Sequence, residues 1–338
     1  MNKLILTYGI YVFALLGVFL PGCNNSLKIT KDPLYPKWLM ANGIKTDQTS
    51  GISFIKQENG TKHFILADDI GDLYRLAIKN DTDFTLNSIS FSDEVKQKLD
   101  QFPKKDFEDI VYDHFTNKVY LSIEGNKSTF LEHVGIYEIE FYNNNIFSDS
   151  VISLTKLNIE PKEELYRYVK RNIGFEGIAV DENYLYLGLE GFSTKDVFAD
   201  STLLYIVDKK DLKIVKIINT FEFGIGTICG LYSNKTGTIW GIDRNRWTIF
   251  NFAFDSNLNI VSRKLFDFFP SIPGYNSLTY VAALESITID NEGYLYLVDD
   301  PYRQVFIPPD AILNQLDEET KRNFKNYIPI IYRYKITY

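Results

Sequence analysis

One short pattern occurs five times along the chain, and that repetition constrains the fold more than any other feature. Ser50-Gly51-Ile52, Glu108-Asp109-Ile110, Glu176-Gly177-Ile178, Cys229-Gly230-Leu231 and Glu285-Ser286-Ile287 each open a strand-like run, and a second such run follows each of them. Repetition at intervals of tens of residues marks an architecture assembled from similar supersecondary units. The third unit shows the plan: Glu176 to Asp181, Tyr184 to Glu190, Thr202 to Asp208 and Lys213 to Asn219 are four short runs with apolar or alternating patterning, the signature of strands. The second unit (Glu108 to Asp113, Lys118 to Glu124, Val134 to Phe141, Ser150 to Leu157) and the fourth (Ile228 to Ser233, Thr238 to Asp243, Trp247 to Phe252, Asn257 to Phe266) repeat it. Four antiparallel strands make one propeller blade. The fold class expected is therefore all-β, a five-bladed β-propeller with short helical insertions. Five blades are favoured over six because even the longest interval, Glu108 to Glu176, is too short for two four-stranded units.

The last unit supplies only Glu285 to Asp290, Tyr294 to Asp299 and Ile328 to Thr337. An unclosed ring would leave an unpaired edge, which natural sheets avoid, so the patch Leu27 to Thr30 is expected to supply the missing strand. Composition agrees with a sheet protein. The 338 residues include 25 Phe and 23 Tyr, and 45% are hydrophobic, which suits packing on pleated surfaces and excludes disorder. A net charge of -8 offers no general attraction for a phosphate backbone, so nucleic acid is excluded as the partner.

The first segment reads as an address. Lys3 precedes an apolar run from Leu4 to Leu20 that ends at Leu20-Pro21-Gly22-Cys23, the layout of a secretory signal. Leu20 three residues before Cys23, with small Gly22 between, resembles the lipobox of bacterial lipoproteins. Residues 1–22 are thus expected to be a lipoprotein signal peptide, with Cys23 lipidated and the membrane a partner through that anchor. Residues 23–49 read as an N-terminal tether carrying the ring-closing patch at 27–30, and residues 50–338 as the propeller. The expected location is the cell envelope, facing the periplasm or the cell surface, as a monomer. Cys229 then remains as the one thiol of the mature chain, so no internal disulfide is expected and burial alone stabilises the fold.

Loop lengths separate two faces. Turns such as Asp181-Glu182-Asn183 and Asp290-Asn291-Glu292-Gly293 are short and place the bottom. The long connections, Ser92 to Phe107, Glu160 to Phe175, Asp267 to Leu284 and Pro301 to Tyr327, belong to the top, with helical patterning in Val95 to Phe102, Lys162 to Lys170 and Asp310 to Asn326. Long loops on one face of a rigid scaffold are where binding sites develop.

Acidic residues recur with the units. Glu108, Glu176 and Glu285 open three of the five first strands, while Ser50 and Cys229 hold the other two places. The second strands end in acids: Asp68 or Asp69, Glu124, Glu190, Asp243, and Asp299 or Asp300. The topology brings both sets to the top face. Like charges about 4 Å apart repel by about 4 kcal/mol at an effective dielectric near 20, so converging carboxylates must separate, protonate or recruit a cation. Hard oxygen ligands suit calcium best. The metal-ligand candidates are Glu108, Glu176, Glu285, Glu124, Glu190, Asp243 and Asp299. Two alternatives stay open. The glutamates can form a structural ring that hydrogen-bonds adjacent blades, and Lys127, Lys195, Arg244, Arg246 and Arg303, each close after a strand-end acid, can neutralise them. The same arginines can instead receive an anionic substrate beside a metal, the arrangement used in phosphate-ester hydrolysis. Glu176, Arg244 and Arg246 are the catalytic candidates, with Glu176 foremost. His63, His114 and His133 lack metal-ligand spacing, and Cys229 has no activating partner visible in sequence.

Phe175-Glu176-Gly177-Ile178-Ala179-Val180-Asp181 with Leu185-Tyr186-Leu187-Gly188-Leu189-Glu190, Phe107-Glu108-Asp109-Ile110, and Leu284-Glu285-Ser286-Ile287 with Leu295-Tyr296-Leu297-Val298-Asp299 resemble the extracytoplasmic propellers grouped as esterase-like phytase and SdiA-regulated proteins. The resemblance covers most of residues 50–338. It implies a calcium-supported phosphoesterase or esterase, with Glu108, Glu176 and Glu285 as site residues by position. The sequence departs from that pattern in having five countable repeats and in lacking the opening Glu in two. The competing expectations are a noncatalytic propeller that binds a protein or glycan through its top loops, and a glycoside hydrolase with an isolated carboxylate pair about 5–9.5 Å apart.

Overall fold

The computed structural model describes residues 27–125, 129–193, 200–233, 237–301 and 306–337. Cys23, Lys127, Lys195 and Arg303 lie outside them. The described chain is mostly β, with short helices confined to connections.

Strands follow one another in sets of four. Thr49–Glu58, Thr61–Asp68, Leu73–Lys79 and Asp83–Phe91 pair in that order, each antiparallel to the last. Phe107–Asp113, Lys118–Ile123, Gly135–Phe141 and Ser150–Lys156 repeat the meander. So do Phe175–Val180, Tyr184–Leu189, Leu203–Asp208 and Lys213–Asn219, and Gly230–Ser233, Thr238–Asp243, Thr248–Phe254 and Ile260–Asp267. The outermost strands of the first two sets also pair in parallel at Ser150 with Ser90 and Val151 with Phe91, which fuses those sets into an eight-stranded sheet. Leu284–Ile289, Tyr294–Asp299 and Ile330–Thr337 form the last set, and Lys28–Lys31 lies antiparallel on Ile330–Thr337 as its fourth strand.

Each opening strand packs against the next, and Leu284–Ile289 packs back on Thr49–Glu58, a propeller-like plan. Apolar clusters fill the wedges between sets: one of them joins Val111 and Tyr120 of the second set to Ile178, Leu187 and Tyr205 of the third. The axis is crowded. A Cβ on Gly51 would lie 2.8 Å from the Ile110 nitrogen, and one on Gly230 would lie 2.6 Å from the Glu285 carbonyl oxygen, so the second position of the repeated motif is small to let neighbouring backbones approach. Asp109 and Ser286 occupy the space so created. The buried Asp109 carboxylate accepts hydrogen bonds from the Ile178 nitrogen at 2.8 Å, the Ser286 hydroxyl at 2.7 Å and its neighbour Ile110 at 2.9 Å, and from the Leu231 nitrogen. One side chain of the second set thereby ties together the opening strands of the third, fourth and fifth.

Three expectations need correction. The segment read as a tether is packed against the sheets from Leu27 onward: Tyr35 and Leu39 are buried, Lys37–Trp38 pairs with Ile331 and Ile330, and Met40–Ala41 pairs with Ile44–Lys45. A buried charge network secures it, for Arg333 meets Asp32 at 2.8 Å and Asp81 at 2.5 Å while its guanidinium lies 4.4 Å from the Tyr35 ring centroid. The helical run expected over Asp310 to Asn326 is two helices, Asp310–Leu313 and Glu318–Lys325, because Asp317 caps the second by accepting from the Thr320 nitrogen. The long connection from Asp267 to Leu284 folds into a small hairpin, Ser271–Ile272 with Tyr275–Thr279.

Candidate functional site

The opening strands are not regular at the motif, and the irregularity aims the site. Phe175 pairs with Leu189 and Gly177 with Gly188, which leaves Glu176 as an extra residue in the ladder. Glu285 is left over in the same way between Leu284 and Ser286, and Ser50 between Thr49 and Gly51. In the second set Glu108 and Asp109 together oppose Ser122. Such bulges re-aim side chains and are frequent beside active sites. Here they turn the first motif position toward the top of the axis.

A second tier comes from the residue after each second strand. Asp69, Glu124, Glu190 and Asp300 each donate a backbone N–H to the residue just before or at the start of the opening strand, namely Gln48, Asp106, Gly174 and Ala283. Arg244, directly after the strand Thr238–Asp243, takes this place in the fourth set. These side chains converge with the bulge residues. Glu124, Glu176 and Glu190 bring ligand atoms within 4.8 Å of one another; so do Asp69, Asp106 and Glu108, and so do Glu176, Cys229 and Glu285. Glu176 is shared, so two of the groups are continuous.

Of the seven residues expected as metal ligands, the structure places Glu124, Glu176, Glu190 and Glu285 in the two groups that share Glu176, and Glu108 in the third group with Asp69 and Asp106. Asp243 and Asp299 are directed elsewhere. Asp243 accepts from the Gly226 nitrogen at 2.5 Å and the Arg246 nitrogen at 3.1 Å. Asp299 accepts from the Ile330 nitrogen at 2.6 Å and from the hydroxyls of Tyr280 at 2.9 Å and Tyr332 at 3.2 Å. Asp68 repeats the theme with the Asp47 nitrogen and the Thr49 hydroxyl. Adjacent residues of a strand face opposite ways, so these three aspartates tie down loops while the next residue, Asp69, Arg244 or Asp300, faces the site. Arg246 is also outside the cluster: it bonds the Gly224 carbonyl and lies against the Phe221 ring. Asp69, Asp106, Asp300, Lys104 and Cys229 complete the site beyond the expected set.

Charge in the site is uneven. Eight carboxylates (Asp69, Asp106, Glu108, Glu124, Glu176, Glu190, Glu285 and Asp300) face two cations among the described residues. Lys104 pairs with Asp69 at 2.6 Å and with Asp106. Arg244 pairs with Glu285, and more distantly with Glu190 at 3.6 Å and Glu176 at 3.8 Å. Glu124 and Glu176 are 7% and 8% exposed, yet Glu124 Oε1 and Glu176 Oε2 have no hydrogen-bond partner. Asp300 Oδ1 is equally bare. Burial, then neighbouring carboxylates, push Glu124 up to about 10 and Asp300 up to about 8. Burial and contact with Asp69 raise Asp106 to about 8 despite Lys104. Burial raises Glu108, Glu190 and Glu285 well above the carboxylate range and raises Glu176, against which Arg244 works. The Cys229 thiol is pushed up by burial and lies beside Glu176 and Glu285, neighbours that sequence order did not reveal. Buried acids with bare oxygens hold either protons or a cation, and these acidic groups can hold a metal ion.

No protein-family model and no curated protein sequence matches the chain. Among solved structures it is similar to the PQQ-bound aldose sugar dehydrogenase from Streptomyces coelicolor, with 10% identity over 92% of this chain and 99% of that one and a TM-score of 0.47. It is also similar to an α-L-arabinofuranosidase from Lactobacillus brevis (10% identity, 90% and 92% covered, TM-score 0.46). A luciferin-regenerating enzyme is a third (12% identity, 92% and 95% covered, TM-score 0.45).

Proposed function

We propose that the chain is a five-bladed β-propeller, closed by Lys28–Lys31, whose acidic mouth binds calcium and hydrolyses a phosphate or other ester at the cell envelope, to which lipidated Cys23 tethers it. The observation that carries the metal reading is the pair of unpartnered oxygens on Glu124 and Glu176, both more than nine-tenths buried, in one group with Glu190. Carboxylates are hard ligands of the kind calcium takes. A bound divalent ion supplies Lewis-acid polarisation of the ester oxygen and a more acidic water.

The chain's own residues have three roles in this reading. Glu124, Glu176 and Glu190 hold the ion, and the bulge at Glu176 fixes the direction of that carboxylate. Arg244, whose side chain is 19% exposed, is placed to meet the anionic group of the substrate. Asp300, which burial raises to about 8 in the metal-free site, is the candidate proton donor to a leaving oxygen. A glycosidase reading fits less well, because the acids form groups whose ligand atoms lie within 4.8 Å of one another, whereas sugar chemistry uses an isolated pair about 5–9.5 Å apart.

The test is hydrolysis of p-nitrophenyl phosphate and p-nitrophenyl acetate by wild type and Glu176→Gln, in calcium and in chelator. Calcium-dependent turnover of either ester, reduced at least about a hundredfold by the substitution, is the expected result. Calcium binding with no turnover of either ester would leave a noncatalytic, metal-stabilised binding module.

A further inference from the structure

We propose that Arg244 is the resident counter-cation of the site, that its guanidinium and a divalent ion compete for the carboxylates of Glu176 and Glu190, and that metal entry thereby loosens Arg244, leaving Glu285 as its one carboxylate partner, so that it can meet an anionic substrate group. The inference rests on the cation reading above and adds a mechanism by which the site loads.

The geometry gives Arg244 one close partner and two loose ones. It is bonded to Glu285, but its distances to Glu190 Oε1 and Glu176 Oε2 are 3.6 and 3.8 Å, within ion-pair range and beyond hydrogen-bond length. Glu176 Oε2 is also an atom that lacks a hydrogen-bond partner. The guanidinium therefore screens this carboxylate without satisfying it. Both loose partners belong to the group formed with Glu124, so an ion there takes two of the three carboxylates that hold Arg244. A calcium ion sits about 2.3–2.6 Å from its ligand oxygens; with twice the charge at roughly two thirds of the distance, its attraction for each is roughly threefold that of the guanidinium.

Arg244 has somewhere to go. It opens a three-residue turn, Arg244–Arg246, directly after a strand, its side chain is partly exposed, and its guanidinium carbon already lies 6.0 Å from the Phe306 ring centroid, a contact that supports the side chain from outside the carboxylate group when its hold on Glu176 and Glu190 is lost. Arg246 supplies an internal control, since it carries the same charge two residues away but contacts Gly224 and Phe221 rather than the cluster.

Calorimetric titration with calcium chloride of wild type, Arg244→Gln and Arg246→Gln tests the competition. Arg244→Gln is expected to bind calcium at least tenfold more tightly than wild type, and Arg246→Gln to stay within about twofold of it. A second measurement needs no substitution: labelling of wild type with phenylglyoxal, read by mass spectrometry, is expected to rise severalfold at Arg244 when calcium is added. Equal or weaker calcium binding by Arg244→Gln, or Arg244 labelling that is unchanged or reduced by calcium, overturns the competition while leaving the cation reading intact. Calcium binding by Arg244→Gln and not by wild type upholds the competition and removes calcium as the native occupant. Absence of binding in both rejects the two together.

Discussion

Asp109→Ala is expected to lower the unfolding free energy by at least about 3 kcal/mol, a larger loss than any single surface substitution in this protein. The carboxylate accepts from three backbone N–H groups and the Ser286 hydroxyl, all buried at the axis. Truncation leaves those donors without an acceptor, and each buried group so stranded costs about 1–3 kcal/mol. Water has little room to replace the side chain where a Cβ on Gly230 would already approach the Glu285 carbonyl to 2.6 Å. Asp109→Asn keeps the volume but turns an NH₂ group toward N–H donors, so it recovers only part of the loss. Urea melts of both variants give the measurement; a midpoint shift worth less than about 1 kcal/mol for the alanine variant would mean that the donors find other partners.

In chelator, the protein is expected to lose stability as pH rises from 5 to 8. Burial holds Glu124 near 10 and Asp106 and Asp300 near 8, whereas the unfolded chain releases those protons near 4. Between these values the folded state binds more protons, so raising the pH favours unfolding. Each proton retained is worth about 1.4 kcal/mol per pH unit, about 4 kcal/mol over this window for one group and up to roughly 12 kcal/mol for the three, so the melting midpoint is expected to fall by at least about 5–10 °C. His63 and His133, lowered by burial, oppose this by favouring the fold above the usual histidine range, and both are partly exposed, so their effect is small. Lys156, held near 8 by burial, adds stability only above the window. Saturating calcium is expected to flatten the dependence, because the carboxylates are then compensated by the ion. A chelator profile that is flat or rising from pH 5 to 8 would show that the cluster carries its charge without protons or metal.

How far the residues disclose this arrangement depends on which part is asked for. The repeated opening motif is legible because its second position must be small or axis-filling and its third must enter a wedge of the core, as Gly177 and Ile178 do. The strands of the third set were placed to within a residue for the same reason. The strand-end acids are harder. In Asp68-Asp69 and Asp299-Asp300 two acids are adjacent, and alternation sends one to a loop and the other to the axis, so an error of one residue reverses the assignment. Asp243 and Asp299 are the residues of their pairs that turn to the loops, and in the fourth set the inward residue is a cation, Arg244. The bulges that aim Glu176 and Glu285 depend on pairing register, which a single strand does not encode. Lys104 and Asp106 lie beyond the helical patterning of their long loop, in a stretch that no periodicity marks. Asp109 looks like a spacer inside the motif, and only closure of the ring reveals its four donors. The packing of the segment from Leu27 to Gln48 is hidden in the sequence because its apolar residues, Leu34-Tyr35 and Trp38-Leu39-Met40-Ala41, form short runs broken by Pro36 and without the period of a strand or helix.

The central claim is that the top of the axis holds a divalent cation on Glu124 and Glu176. Thermal melts at pH 7.5 of wild type and of the Glu124→Gln/Glu176→Gln double variant, each in calcium and in chelator, test it most directly. The account predicts a wild-type midpoint that is higher in calcium than in chelator by several degrees, and a double variant whose two curves coincide. Wild-type curves that superimpose, or a calcium-induced shift that survives in the double variant, would contradict it.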